Sequence, residues 1–100
     1  MKMGFSIKIS PVAQRNIRAA VRYYLLNVSE KVASLFLEDL ESSLETLTLN
    51  PYFQKIYGQN RGLPLKKFPF ILIFTIDENE KIIRLKAVFH TSQNPEMYPE

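Results

Sequence analysis

The stretch FILIFTIDENEKIIRLKAVFH, residues 70–90, decides the fold. In FILIFTI both alternating sets of positions are apolar, as in a central strand covered on its two faces. Asp77-Glu78-Asn79-Glu80 is a polar turn. Beyond it Ile83, Leu85, Ala87 and Phe89 alternate with Arg84 and Lys86, which describes a strand returning beside the first with one buried side. The segment is an antiparallel hairpin.

Working back toward the N-terminus, RGLPLKKF, residues 61–68, reads as a third strand. Pro64 lacks an N–H to donate, so this strand is expected at an edge or with irregular pairing. Ahead of it lie two segments of helical spacing. Ala13, Ile17, Ala20, Val21, Tyr24 and Val28 share one face, opened by Ser10 as cap and Pro11 in the first turn. Ala33, Phe36, Leu37, Leu40, Leu44 and Leu47 share another, opened by Ser29 with Glu30 in the first turn and closed at Asn50-Pro51. The short link between them makes a helical hairpin. At the start Phe5, Ile7 and Ile9 alternate with Ser6 and Lys8 in a short strand. The expected fold is α+β: an N-terminal strand, a helical hairpin, then a three-strand antiparallel meander, with the helices packed on one sheet face.

At 100 residues the chain is expected to form a single domain, 1–100, with enough interior for one core. Apolar residues make up 46%, which argues against disorder. There is no cysteine, so disulfides and thiolate metal sites are excluded. The first residues lack the apolar centre of a signal peptide, and no apolar run is long enough to span a bilayer as a helix. A soluble, cytoplasmic protein without a membrane partner is expected.

The net charge is +3, unevenly spread. Glu30, Glu38, Asp39, Glu41 and Glu45 crowd the second helix on the side opposite its apolar face. From Glu45 to Asp77 no acid occurs, and that gap holds Lys55, Arg61, Lys66 and Lys67. Such a region suits nucleic acid or an acidic protein, while on charge alone a plain solvated surface is the favoured reading. Arg15, Arg18 and Arg22 form a further basic stripe on the first helix, expected to be a solvated face, with phosphate or partner binding as the alternative.

The sequence has no glycine-rich phosphate loop and no metal cluster, and no cofactor is expected. RNA cleavage by the neighbouring 2′-hydroxyl needs less: a base, an acid and cations on the phosphate. His90, the one histidine, or Tyr98 can move a proton, and Arg61, Lys66, Lys67, Arg84 and Lys86 can neutralise phosphate. The alternative has the four residues Lys66, Lys67, Arg84 and Lys86 as solvated strand positions and His90 as a hydrogen-bonding strand end.

The ordered segments together resemble the RelE/ParE superfamily of bacterial toxins, which includes plasmid stabilisation proteins. SPVAQRNIRAAVRYY resembles the opening of that family, with Asn16 where aspartate is common. NPYFQKIY resembles the link after the second helix, and Arg61, Phe68, Pro69 and Phe70 match an Arg-containing strand followed by Phe-Pro-aromatic. VFHTSQNPEMY resembles a closing His-x-x-Arg-x-Pro-x-x-Trp pattern, with His90, Pro95 and Tyr98 in register. Gln93 stands where that pattern has arginine, Asn94 where aspartate is common, and Tyr98 where it has tryptophan.

The resemblance implies a toxin of a type II toxin–antitoxin module that inhibits growth and is neutralised by a cognate antitoxin. ParE-like members inhibit DNA gyrase; RelE-like members cut mRNA on the ribosome. Glutamine hydrogen-bonds a phosphate without neutralising it, so Gln93 favours the ParE-like branch. Under the RelE-like alternative, a metal-independent endoribonuclease, Lys67 joins Tyr98 and His90 as catalytic candidates, and Arg61, Lys66, Lys67, Arg84, Lys86 and Gln93 hold nucleic acid or target. A non-toxic binding domain retaining the fold is the third expectation. Self-association as a homodimer is left open.

Overall fold

A computed structural model describes residues 4–92. The elements run β1 (Ser6–Ile9), α1 (Pro11–Asn27), α2 (Glu30–Leu49), β2 (Lys55–Tyr57), β3 (Asn60–Pro64), β4 (Phe70–Asp77) and β5 (Ile82–His90). The five strands form one sheet in the order β1-β5-β4-β3-β2. β1 lies parallel to β5, and the other neighbours are antiparallel. The expected α+β architecture is present, with two differences.

The meander has four strands, not three. Lys55–Tyr57 adds β2 outside β3, so β3 is internal rather than an edge. Pro64 is accommodated because it is the last residue of β3, where the missing N–H leaves no gap in the ladder. Residues 66–69 then form the connection to β4, so Lys66 and Lys67 are not strand positions.

The second difference lies within β5. Ile73 pairs with Ala87 and Phe74 with Leu85, which leaves Lys86 as an extra residue on β5. This β-bulge breaks the simple alternation. Ile83 and Leu85 point toward the helices, and beyond the bulge Val88 joins them rather than Ala87. Ala87 instead stands with Ile73 on the opposite face, where both are fully buried.

Both helices start as their sequences require. The Ser10 side chain accepts from the Ala13 N–H at 3.0 Å, and Ser29 accepts from the Val32 N–H at 3.1 Å. The helices cover one sheet face, where Phe5, Phe36, Leu40, Leu47, Phe70, Leu72, Phe74, Ile83, Leu85 and Val88 form the core. Phe36 is the aromatic hub, with the rings of Tyr24, Phe68 and Phe70 centred 5.1–5.7 Å away. Burial pushes the Tyr24 hydroxyl pKa up, and the adjacent Tyr23 adds to that. Two positions assigned to the apolar faces, Val28 and Leu37, are instead exposed.

Gly4 shows why the chain enters β1 as it does. Its φ is +125, and a Cβ there would stand 2.5 Å from the Thr48 carbonyl oxygen. Only glycine lets this backbone meet the end of α2, where the Phe5 N–H donates to Thr48 at 2.9 Å.

Candidate functional site

The candidate residues separate into four environments. Arg61, on β3, turns its guanidinium to the loop after α2. Its Nη1 donates to the Phe53 carbonyl at 2.7 Å, and its charge lies 5.6 Å from the centre of the Tyr52 ring. Tyr52 in turn donates to Glu78 at 2.8 Å; that hydrogen bond to a carboxylate is the main reason its hydroxyl pKa is raised. Arg61 thus holds the 51–54 loop onto the sheet.

Lys66 and Lys67 sit in the β3–β4 connection. Their backbone N–H groups and that of Phe68 all donate to the carboxylate of Asp39, at 3.3, 2.7 and 3.1 Å. Asp39 was grouped by sequence with the solvated acids of the second helix; the structure buries it at 5% exposure. The burial is sustained because three amides meet the two carboxylate oxygens. The lysine side chains themselves are exposed, beside a cavity of about 310 Å³ lined also by Leu35, Glu38, Asp39 and Ser42.

Arg84 and Lys86 lie on the sheet face turned away from the helices. Lys8 on β1 is opposite Arg84 in the parallel register, so three cations share this region. They line a depression of about 470 Å³ with Ser10, Pro11 and Thr75. Asp77 is 3.6 Å from Arg84 and offsets part of the charge. The bulge is what places Lys86 on this face: residues 86 and 87 both turn outward before Val88 returns to the core. Ser10 secures the bulge, its hydroxyl donating to the Lys86 carbonyl at 3.0 Å. Asn16 secures the strand just beyond, accepting from the Val88 N–H at 3.0 Å. The sequence pattern gave Lys8 no role; its alternation with Ile7 and Ile9 was the available signal.

His90 ends β5 on the helix side. Its ring stands edge-on to Phe70, centres 5.1 Å apart. The Ser92 N–H donates to Nδ1 at 3.2 Å, and the Ser92 hydroxyl is 2.6 Å from the same atom. A backbone N–H only donates, so Nδ1 accepts and the neutral ring carries its proton on Nε2. Asn16, Ala19, Ala20, Phe70 and Val88 line the cavity beside it. Tyr98 and Gln93, the other two candidates, lie outside the described residues. Among the described residues no group of three or more histidine, cysteine or acidic side chains is placed to hold a metal ion, and no helix is long and apolar enough to cross a membrane.

This arrangement of two helices on one face of a five-strand mixed sheet is shared by solved toxin structures. The chromosomal ParDE toxin–antitoxin system from P. aeruginosa provides a chain that superposes with a TM-score of 0.74 at 19% identity, over 86% of this chain and 95% of that one. A mutant of the E. coli toxin RelE in the free state gives 0.66 at 14% identity, over 94% and 90%. The RelBE2 toxin–antitoxin complex from Mycobacterium tuberculosis gives 0.61 at 11% identity, over 88% and 99%. At these identities the likeness is one of fold. A comparison with curated protein sequences found no significant match. The family itself is fixed by sequence: residues 7–95 match the ParE toxin of the type II toxin–antitoxin system, parDE, and the chain belongs to that family.

Proposed function

We propose that this toxin acts by binding a cellular target, DNA gyrase by its resemblance to ParE-like members, and that a cognate antitoxin neutralises it. One observation carries the choice of binding over cutting. Among the described residues, the groups a nuclease would gather are spread over separate environments: Arg61 clamps a loop, Lys66 and Lys67 flank the buried Asp39, Arg84 and Lys86 face away from the helices, and His90 sits on the helix side. Metal-free RNA cleavage needs a base, an acid and cations within reach of one phosphate. A binding protein needs only a complementary surface.

The sheet face bearing Lys8, Arg84 and Lys86 supplies such a surface for an acidic antitoxin segment. Arg61, whose side chain is engaged inside the molecule, is assigned to the fold rather than to the target. Complexes of a toxin with its antitoxin among the structural neighbours support the partner.

The test is purified full-length chain added to gyrase in a supercoiling assay, beside a ribosome-bound mRNA. Loss of supercoiling with intact mRNA is expected, restored by the protein encoded next to this one. Intact supercoiling with cut mRNA overturns the proposal, and cleavage lost in Lys67→Ala or Tyr98→Phe would then identify the nuclease.

A further inference from the structure

The two helices carry opposite charges at the same spacing. On α1, Arg15, Arg18 and Arg22 are exposed, in steps of three and four. On α2, Glu38, Glu41 and Glu45 are exposed, in the same steps. At 3.6 residues per turn, each triplet lies opposite its helix's buried positions, Ala13 and Ala20 on α1 and Phe36, Leu40 and Leu47 on α2. Both triplets therefore lie on the outer side of the hairpin, where Glu38 also borders the cavity beside Lys66 and Lys67, and Glu41 and Glu45 border a depression beside Phe5, Ser6 and Ile7. None of the six has an ion-pair partner among the described residues.

We infer that a second copy of this chain packs on the outer face of the hairpin, with α1 of each copy on α2 of the other. A twofold axis parallel to the helices produces this arrangement. Rotation about it exchanges the sides of the two helices but keeps their directions, so α1 meets an antiparallel α2. Counted along the axis from the shared turn, the basic and acidic triplets lie within about one helical turn, ~5 Å, of each other. Arginine and glutamate side chains span that offset. Arg22 then meets Glu38 of the other copy, Arg18 meets Glu41, and Arg15 meets Glu45, and the symmetry repeats the set.

The same operation brings the two hairpin tips to one end. Leu26 is 73% exposed and Val28 56%, so each tip carries apolar side chains that its own chain leaves uncovered. Contact between tips removes that surface from water. Self-complementary charge gives the register, and the tips supply apolar contact. The inference is independent of whether gyrase is the target.

Sedimentation equilibrium of the full-length chain tests it. The wild type is expected to approach twice the monomer mass at low salt. Its dissociation constant should rise at least about tenfold between ~50 mM and ~500 mM salt, as screening shortens the reach of the charges. Arg15→Glu/Arg18→Glu/Arg22→Glu and Glu38→Arg/Glu41→Arg/Glu45→Arg should each be monomeric, because each places like charges across the interface. Mixed one to one, the two variants should form a dimer again. Leu26→Asp weakens wild-type association without touching the charges. Should a triple variant fail to show a native circular dichroism melt, Glu38→Gln/Glu41→Gln/Glu45→Gln takes its place and must at least weaken the dimer. A wild type that stays monomeric, a dimer indifferent to every substitution, or variants that do not associate on mixing each overturn the inference. So does a monomer whose arginine variant loses only antitoxin binding.

Discussion

The two faces of the sheet divide the labour of the molecule. The helix-covered face holds Phe36, Leu72, Phe74 and Leu85 at no exposure. The opposite face buries Ile73 and Ala87 at its centre but displays Lys8, Arg84 and Lys86 toward β1. Charge on the covered side is committed: the Asp39 carboxylate meets three amides and the Arg61 guanidinium one carbonyl. On the other side Arg84 is 3.6 Å from Asp77, an exposed ion pair of a kind that contributes little to stability. Charged groups are thus tied into the fold on one face and displayed at the surface on the other.

The sharpest way to break this comparison is to empty the core. Phe36→Ala removes a fully buried ring and is expected to cost about 4 kcal/mol in urea unfolding, since the three neighbouring rings cannot close the space. Asp39→Ala is expected to cost about 3 kcal/mol by the same measurement, from three backbone amides that lose a charged acceptor. Asn16→Ala should cost about 1 kcal/mol, one strand amide having lost its acceptor. On the opposite face the combined change Lys8→Ala/Arg84→Ala/Lys86→Ala should stay within about 1 kcal/mol of the wild type. Its antitoxin affinity, measured by calorimetry, should fall about tenfold and lose much of its salt dependence. A large stability loss there, or unchanged affinity, would erase the distinction between the faces.

Much of this was legible in the sequence, wherever a local rule acts alone. Ser10 and Ser29 cap the helices as expected, and residues 70–90 form the hairpin. β2 was missed because three residues, Lys55–Tyr57, are too few to show a period. The bulge was hidden because Ala87 and Val88 are both apolar, so either could continue the buried side of β5. Asp39 misled by its composition, one acid among five, while its position was informative: it follows Phe36 by three residues and precedes Ser43 by four, both buried. Of the candidate site, the residue types were legible but not their grouping. Lys8 and Lys86 come together only through the parallel pairing of β1 with β5, a contact between the two ends of the chain.

The Asp39 carboxylate has a consequence for how the molecule opens. The amides of Lys66, Lys67 and Phe68 belong to a surface connection, yet their acceptor belongs to the middle of α2. Their exchange with deuterated solvent is therefore gated by the helix rather than by loop motion. In a native-state exchange experiment these three loop amides should report the opening of α2, at rates set by an element nearly thirty residues away.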